Sequence, residues 1–131
     1  MRVIDMANRR LWVAFLVAGV ISLTGCERAD PVVSFSADVQ PVLAERCLDC
    51  HQPGAAGYEE SGLGVESYAA LMKGTQFGPV VIAGDSLSSN LIVLVEGRAH
   101  SSIRMPHGEK KMPAEQIEIL KAWVEQGALD N

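Results

Sequence analysis

The sequence predicts an all-α fold, a small domain of short helices, and three observations carry that expectation. No hairpin signal appears anywhere along the chain. Apolar residues recur at helical spacing in two stretches, Val39, Val42, Leu43 and Cys47, and again Ile117, Leu120, Trp123 and Val124. Serines, prolines and glycines stand where helices start and stop. A length of 131 residues supports one domain, and a 48% hydrophobic and 21% charged composition excludes a disordered or fibrous chain. With only 5% aromatic residues, the core must rest mainly on Val, Leu, Ile and Ala.

Four helical stretches can be read in order. Ser36 or Asp38 can cap the first, and Pro41 is tolerable there because it lies in the first turn. Gln52 to Gly64 is rich in glycine and polar residues and reads as a loop. Ser67 caps a short helix through Tyr68, Leu71 and Met72 that Gly74 stops. After a Gly/Pro loop, Ser88 or Ser89 opens a segment through Leu91, Leu94 and Val95 that Gly97 ends; its Leu-Ile-Val-Leu-Val run is β-branched enough to pass for a strand. Ala99 to Met112 reads as irregular. The last helix has Pro113 in its first turn, Glu115 and Glu118 near its N-terminus and Gly127 as its stop.

The chain is not uniform. Arg2, Arg9 and Arg10 precede an apolar run from Leu11 to Leu23, broken only by Gly19 and Ser22, which reads as a secretory signal. A spanning helix needs about 20 apolar residues. The run ends in Leu23-Thr24-Gly25-Cys26, which resembles a bacterial lipobox. That resemblance implies cleavage after residue 25, lipidation of Cys26, a tether over 26–33 and a folded domain over 34–131. Such a tether reaches roughly 26–29 Å at full extension. Without residues 1–25 the chain has 8 basic and 15 acidic side chains, a net charge of −7 against −5 for the whole. That balance excludes nucleic acid as a partner.

Three cysteines cannot all be closed in intramolecular disulfides. Two of them lie in Cys47-Leu48-Asp49-Cys50-His51, the C-x-x-C-H attachment signature of c-type haem. On a helical turn, sulfurs three residues apart face the same way. Each can bond one vinyl group of a porphyrin while His51 presents its imidazole to the iron. Two other readings fit less well. A structural zinc site would need His100 and His107, whose spacing exceeds the usual three to five. A thioredoxin-like motif needs a βαβ context that no part of this sequence offers.

The chain resembles the monohaem c-type cytochrome domains of planctomycetes and proteobacteria. The resemblance runs from Phe35-Ser-Ala-Asp38-Val-Gln-Pro41 through Cys47-x-x-Cys50-His51, Gly62 to Gly74 and Val81 to Ile92. It ends in Arg104-Met105-Pro106-His107-Gly108 and Ile117 to Ala128. It implies a small cytochrome c-like helical domain wrapped around one covalent haem c. It also implies electron transfer rather than an enzymatic reaction.

A methionine opposite the histidine is the cytochrome c arrangement. Met72 sits at a core-like position, whereas Met105 lies in an irregular loop 54 residues after His51, stiffened by Pro106. Met112 directly precedes Pro113. Met105 is therefore the leading candidate for the distal ligand and Met112 the alternative. His107 and, more weakly, His100 offer a bis-histidine iron but are more often solvated loop residues. Arg104 is a candidate partner for a haem propionate, while Glu59 and Glu60 read as a solvated acidic surface. Trp123 is expected to pack the last helix on the first near Val39 and Leu43 and to help enclose the haem. No paired acid and base or activated nucleophile is present.

The expected protein is thus a lipid-anchored monohaem cytochrome on the periplasmic side of the outer membrane, with the inner membrane as the other possibility. Its partners would be periplasmic redox proteins with a basic docking patch. Two alternatives stand beside it: a haem-based sensor or ligand-binding lipoprotein, and a haem relay subunit of a larger respiratory or degradative complex.

Overall fold

The computed structural model describes residues 31–108 and 111–131. The expected signal segment and the lipidation candidate Cys26 lie outside these residues. Ser34 opens the fold: its hydroxyl accepts from the Ala37 N–H at 3.2 Å, two residues earlier than the earlier of the two predicted caps, Ser36. The first turn, Phe35–Val39, is a π-helical turn, with the Val39 N–H donating to the Ser34 carbonyl at 3.2 Å. It runs into α1, Gln40–Arg46, where Pro41 occupies the start. Helix α2, Ala56–Ser61, comes after the C-x-x-C-H turn. Helix α3 spans Tyr68–Lys73 and α4 spans Asn90–Glu96. A single 3-10 turn, Ser101–Ile103, precedes α5, Ala114–Glu125. Among the described residues there is no strand, only an isolated bridge between Thr75 and Gly78. None of their helices is long and apolar enough to cross a membrane.

One expectation changes, and one reading that left a strand open is decided in favour of the helix. Residues 52–64 are not a plain loop, because α2 forms inside them. The Leu-Ile-Val-Leu-Val run is a helix and not a strand, since Leu91, Ile92 and Val95 all fall on one buried face at helical spacing. Its cap is Ser89, whose buried hydroxyl donates instead to the Asp85 carbonyl at 2.7 Å and accepts from the Ile82 N–H at 2.8 Å. Ser67 and Gly74 bound α3 as expected. Gly74 has φ +76°, and a Cβ there would stand 2.6 Å from the Gly78 carbonyl oxygen, so only glycine fits this stop.

The predicted stripe of α5 is fully buried: Ile117, Leu120, Trp123 and Val124. Helix α5 packs on α4 and on the opening π-turn. At that second contact the Trp123 ring lies 5.4 Å from Phe35 and 6.4 Å from Tyr68, centroid to centroid. Its indole N–H donates to the Leu129 carbonyl at 2.9 Å. Trp123 thus packs α5 on the opening turn as expected, in the same core as Val39 and Leu43, with the Phe35 and Tyr68 rings as its aromatic neighbours. The chain is closed here as well. The Val33 N–H donates to Gln126 Oε1 at 2.7 Å and Gln126 Nε2 donates to the Pro31 carbonyl at 3.1 Å, so the end of the expected tether lies against α5.

Candidate functional site

Helix α1 ends at Arg46 and delivers the C-x-x-C-H segment as a tight turn. The Cys47 and Leu48 N–H groups both donate to the Leu43 carbonyl, at 2.9 and 3.0 Å. The Cys50 and His51 N–H groups donate to the Cys47 carbonyl, at 3.2 and 2.9 Å. Cys47 and Cys50 are thiols, not joined in a disulfide. Two further backbone bonds fasten later parts of the chain onto this turn. The Tyr58 N–H of α2 donates to the Cys50 carbonyl at 2.9 Å, and the Val65 N–H donates to the His51 carbonyl at 3.0 Å.

The turn borders a cavity of about 470 Å³, a size within the roughly 300–1,000 Å³ of small-molecule and cofactor sites. Cys47, Cys50, His51 and Met105 all line it. Its apolar wall comes from Leu63, Val65 and Val80 in connecting segments and from Leu91, Leu94 and Val95 of α4. Glu45, Asp49 and Glu60 give its margin an acidic character. The Met105 N–H donates to the Leu94 carbonyl at 3.2 Å, which hangs the methionine loop on α4. Met105 is half-buried, and Pro106 beside it is buried.

The other candidates fall differently. Met112 is buried in the core and does not line the cavity, and Met72 is packed against that core. His107 is exposed but lines the cavity, whereas His100 is bonded to Ser102 Oγ at 2.8 Å away from it. Arg104 is half-buried with its stem near Gly97 and is not among the lining residues. Arg46 is, and its Nε donates to Gln116 Oε1 at 2.9 Å. Glu59 is a solvated acid as expected, but Glu60 reaches the cavity margin. Trp123 does not line the cavity either, so its part is to hold the core and not to wall the site. Sequence reasoning took Leu91, Leu94 and Val95 only as a core stripe, although their helical period was the signal that placed them. It missed Leu63, Val65 and Val80, which lie in irregular segments without a period.

His51 has an unusual environment. Its Nδ1 is buried without a hydrogen-bond partner. Burial holds the imidazole below its usual range, and the Leu63 carbonyl pulls the other way without reaching Nδ1 in ordinary hydrogen-bond geometry. The net effect favours the neutral ring, the form with a lone pair for a metal. The residues therefore fit a c-type haem. Two thiols and a neutral imidazole adjoin one apolar cavity, and a thioether comes to the same cavity from a distant loop.

Residues 47–109 match the family described as Planctomycete cytochrome C. The chain carries a c-type cytochrome-like domain. That family implies covalently bound haem c and, at the level of activity, haem-based electron transfer. The match starts at the first cysteine of the motif and takes in α2, α3, α4 and Met105. It does not extend to the opening π-turn or to α5, over which the resemblance in sequence also runs. Searches among curated proteins and among solved structures gave no match.

Proposed function

We propose that this cytochrome is a lipid-anchored, periplasmic carrier of single electrons with one covalent haem. The observation that carries the reading is the convergence of Cys47, Cys50, His51 and Met105 on one apolar cavity. Cys47 and Cys50 hold the cofactor through thioethers. His51 would offer the iron its imidazole nitrogen and Met105 its thioether sulfur, both from the lining of the same cavity. When bound, the haem supplies a one-electron iron couple, whose potential a methionine ligand and burial raise. Leu63, Val65, Val80, Leu91 and Val95 exclude water, which keeps the surroundings alike in both oxidation states.

Lipidation of Cys26 would hold the domain at a membrane surface, and the outer membrane is the favoured one. The net charge of −7 without residues 1–25 suits a redox partner with a basic patch. Association with such a partner should slow as salt rises, and a rate insensitive to ionic strength would count against it. A second reading has one observation behind it: exposed His107 lines the cavity alongside half-buried Met105, so the sixth ligand is displaceable and the protein senses a small ligand. Carbon monoxide separates the two. A reduced spectrum unchanged over minutes supports the carrier, and an immediate shift supports the sensor.

A further inference from the structure

We infer that Gly57 is a positioning residue for the His51 imidazole, its missing side chain letting the ring lie close against α2. The inference rests on the haem reading of the cavity. Gly57 stands in an unfavourable place for a glycine. It is the second residue of a six-residue helix, and it is not among the glycines with positive φ. Alanine would serve the helix better there, so no backbone need explains the glycine. Gly54, a few residues earlier, is the contrast: its φ is +87° and nothing lies within 4 Å of the position a Cβ would take, so it serves a turn.

Gly57 serves a close approach. A Cβ on it would stand 2.8 Å from the Cys50 carbonyl oxygen, 2.9 Å from His51 Cε1 and 3.1 Å from His51 Nδ1. Contacts under 3.0 Å do not persist, so something must shift. The Cys50 carbonyl is held, since it accepts the Tyr58 N–H at 2.9 Å. The His51 backbone is held too, with its N–H on the Cys47 carbonyl and its own carbonyl on the Val65 N–H. Helix α2 is braced from within by the Ser61 hydroxyl, which donates to the Gly57 carbonyl. The freest of these groups is the imidazole. The Nδ1 and Cε1 edge lies against Gly57, which leaves Nε2 as the nitrogen for the iron. A methyl group at position 57 would displace the imidazole, and with it that nitrogen, from its present place in the cavity lining.

The test uses full-length holoprotein carrying Gly57→Ala, with Glu59→Gly as the partner variant. Glu59→Gly weakens α2 by helix propensity on an exposed position and gives up the bond from the Gly54 N–H to Glu59 Oε1 at 3.3 Å, but adds no atom near the ring. Intact mass of the wild type comes first, because a chain without covalent haem would sink the haem reading and this inference with it. Given loaded wild type, Gly57→Ala should shift the g values of the oxidised low-spin signal, add a high-spin fraction and raise the reduction potential. A displaced imidazole donates less to ferric iron. Glu59→Gly should match the wild type in all three. These readouts come only from haem-bearing molecules, so a poor yield does not blur them. Gly57→Ala indistinguishable from wild type overturns the inference, and so does an equal shift in Glu59→Gly. If Gly57→Ala matures no haem, normal loading of Glu59→Gly supports it and equal failure of both overturns it.

Discussion

The aromatic seam and the C-x-x-C-H cavity are finished by different means. At the seam, Phe35, Tyr68 and Trp123 meet edge to face or tilted at 5.2–6.4 Å, and each polar tip is satisfied. The Tyr68 hydroxyl donates to the Ala128 carbonyl and the Trp123 indole to the Leu129 carbonyl, both at 2.9 Å. The chain's own side chains close this region. At the cavity, Leu, Val and Met side chains face about 470 Å³ that protein atoms do not fill, and one buried ring nitrogen has no partner. Protein interiors pack like organic crystals, so a cavity of that size and apolar lining sets this region apart from the seam and supports the haem reading of it. The seam should therefore govern stability with or without a cofactor, and the cavity should govern what the cofactor does.

The strongest way to break this comparison is at the seam. Trp123→Ala should lower unfolding free energy by about 3–5 kcal/mol, read from denaturant curves, while the absorption spectrum of any folded holoprotein stays as in the wild type. A spectral change as large as that from a ligand variant would show that the two regions are not separable. Next come the two methionines, Met112 buried in the core and Met105 in the cavity lining. Met112→Ala should cost about 2–5 kcal/mol as a core truncation and keep the sulfur-to-iron absorption band. Met105→Ala should abolish that band at a smaller cost in stability, since Met105 is only half-buried. A band lost in the Met112 variant alone would reverse the assignment of the distal ligand.

The legibility of the molecule in its sequence divides along the same line. Helix α5 could be read because twelve residues give a period time to show and Pro113 marks its start. The C-x-x-C-H segment could be read because its chemistry depends on spacing alone. Helix α2 could not, since six residues with Gly57 inside and Gly54 before it look like a loop. It exists through tertiary contacts, the Tyr58 N–H on the Cys50 carbonyl among them. The run over 91–95 was ambiguous because periodicity cannot separate a short buried strand from a short buried helix. Packing on α5 decides it. Half the cavity wall was hidden for a related reason: Leu63, Val65 and Val80 owe their places to the turns around them.

The smallest expected effect tests a surface cluster in neither region. Glu96 accepts from Arg98 and pairs with Lys121 Nζ at 3.3 Å, and these bonds, the Arg98 one foremost, hold its carboxyl below the usual range. A depressed carboxyl stabilises the fold above its unfolded pKa, near 4.3, and that gain is lost as pH falls through the folded value. Glu96→Gln should thus cost a little stability at neutral pH and progressively less at acid pH, as the carboxyl takes up its proton. Denaturant curves at neutral and acid pH check this. A cost that persists in acid would mean packing and not charge.

The most direct test of the central claim is the intact mass of the matured protein together with its pyridine haemochrome spectrum. The account predicts the mass of one haem added to the chain and the spectrum of a haem held by two thioethers, both lost in the Cys47→Ser, Cys50→Ser double variant. A matured protein whose mass includes no covalent haem would contradict it.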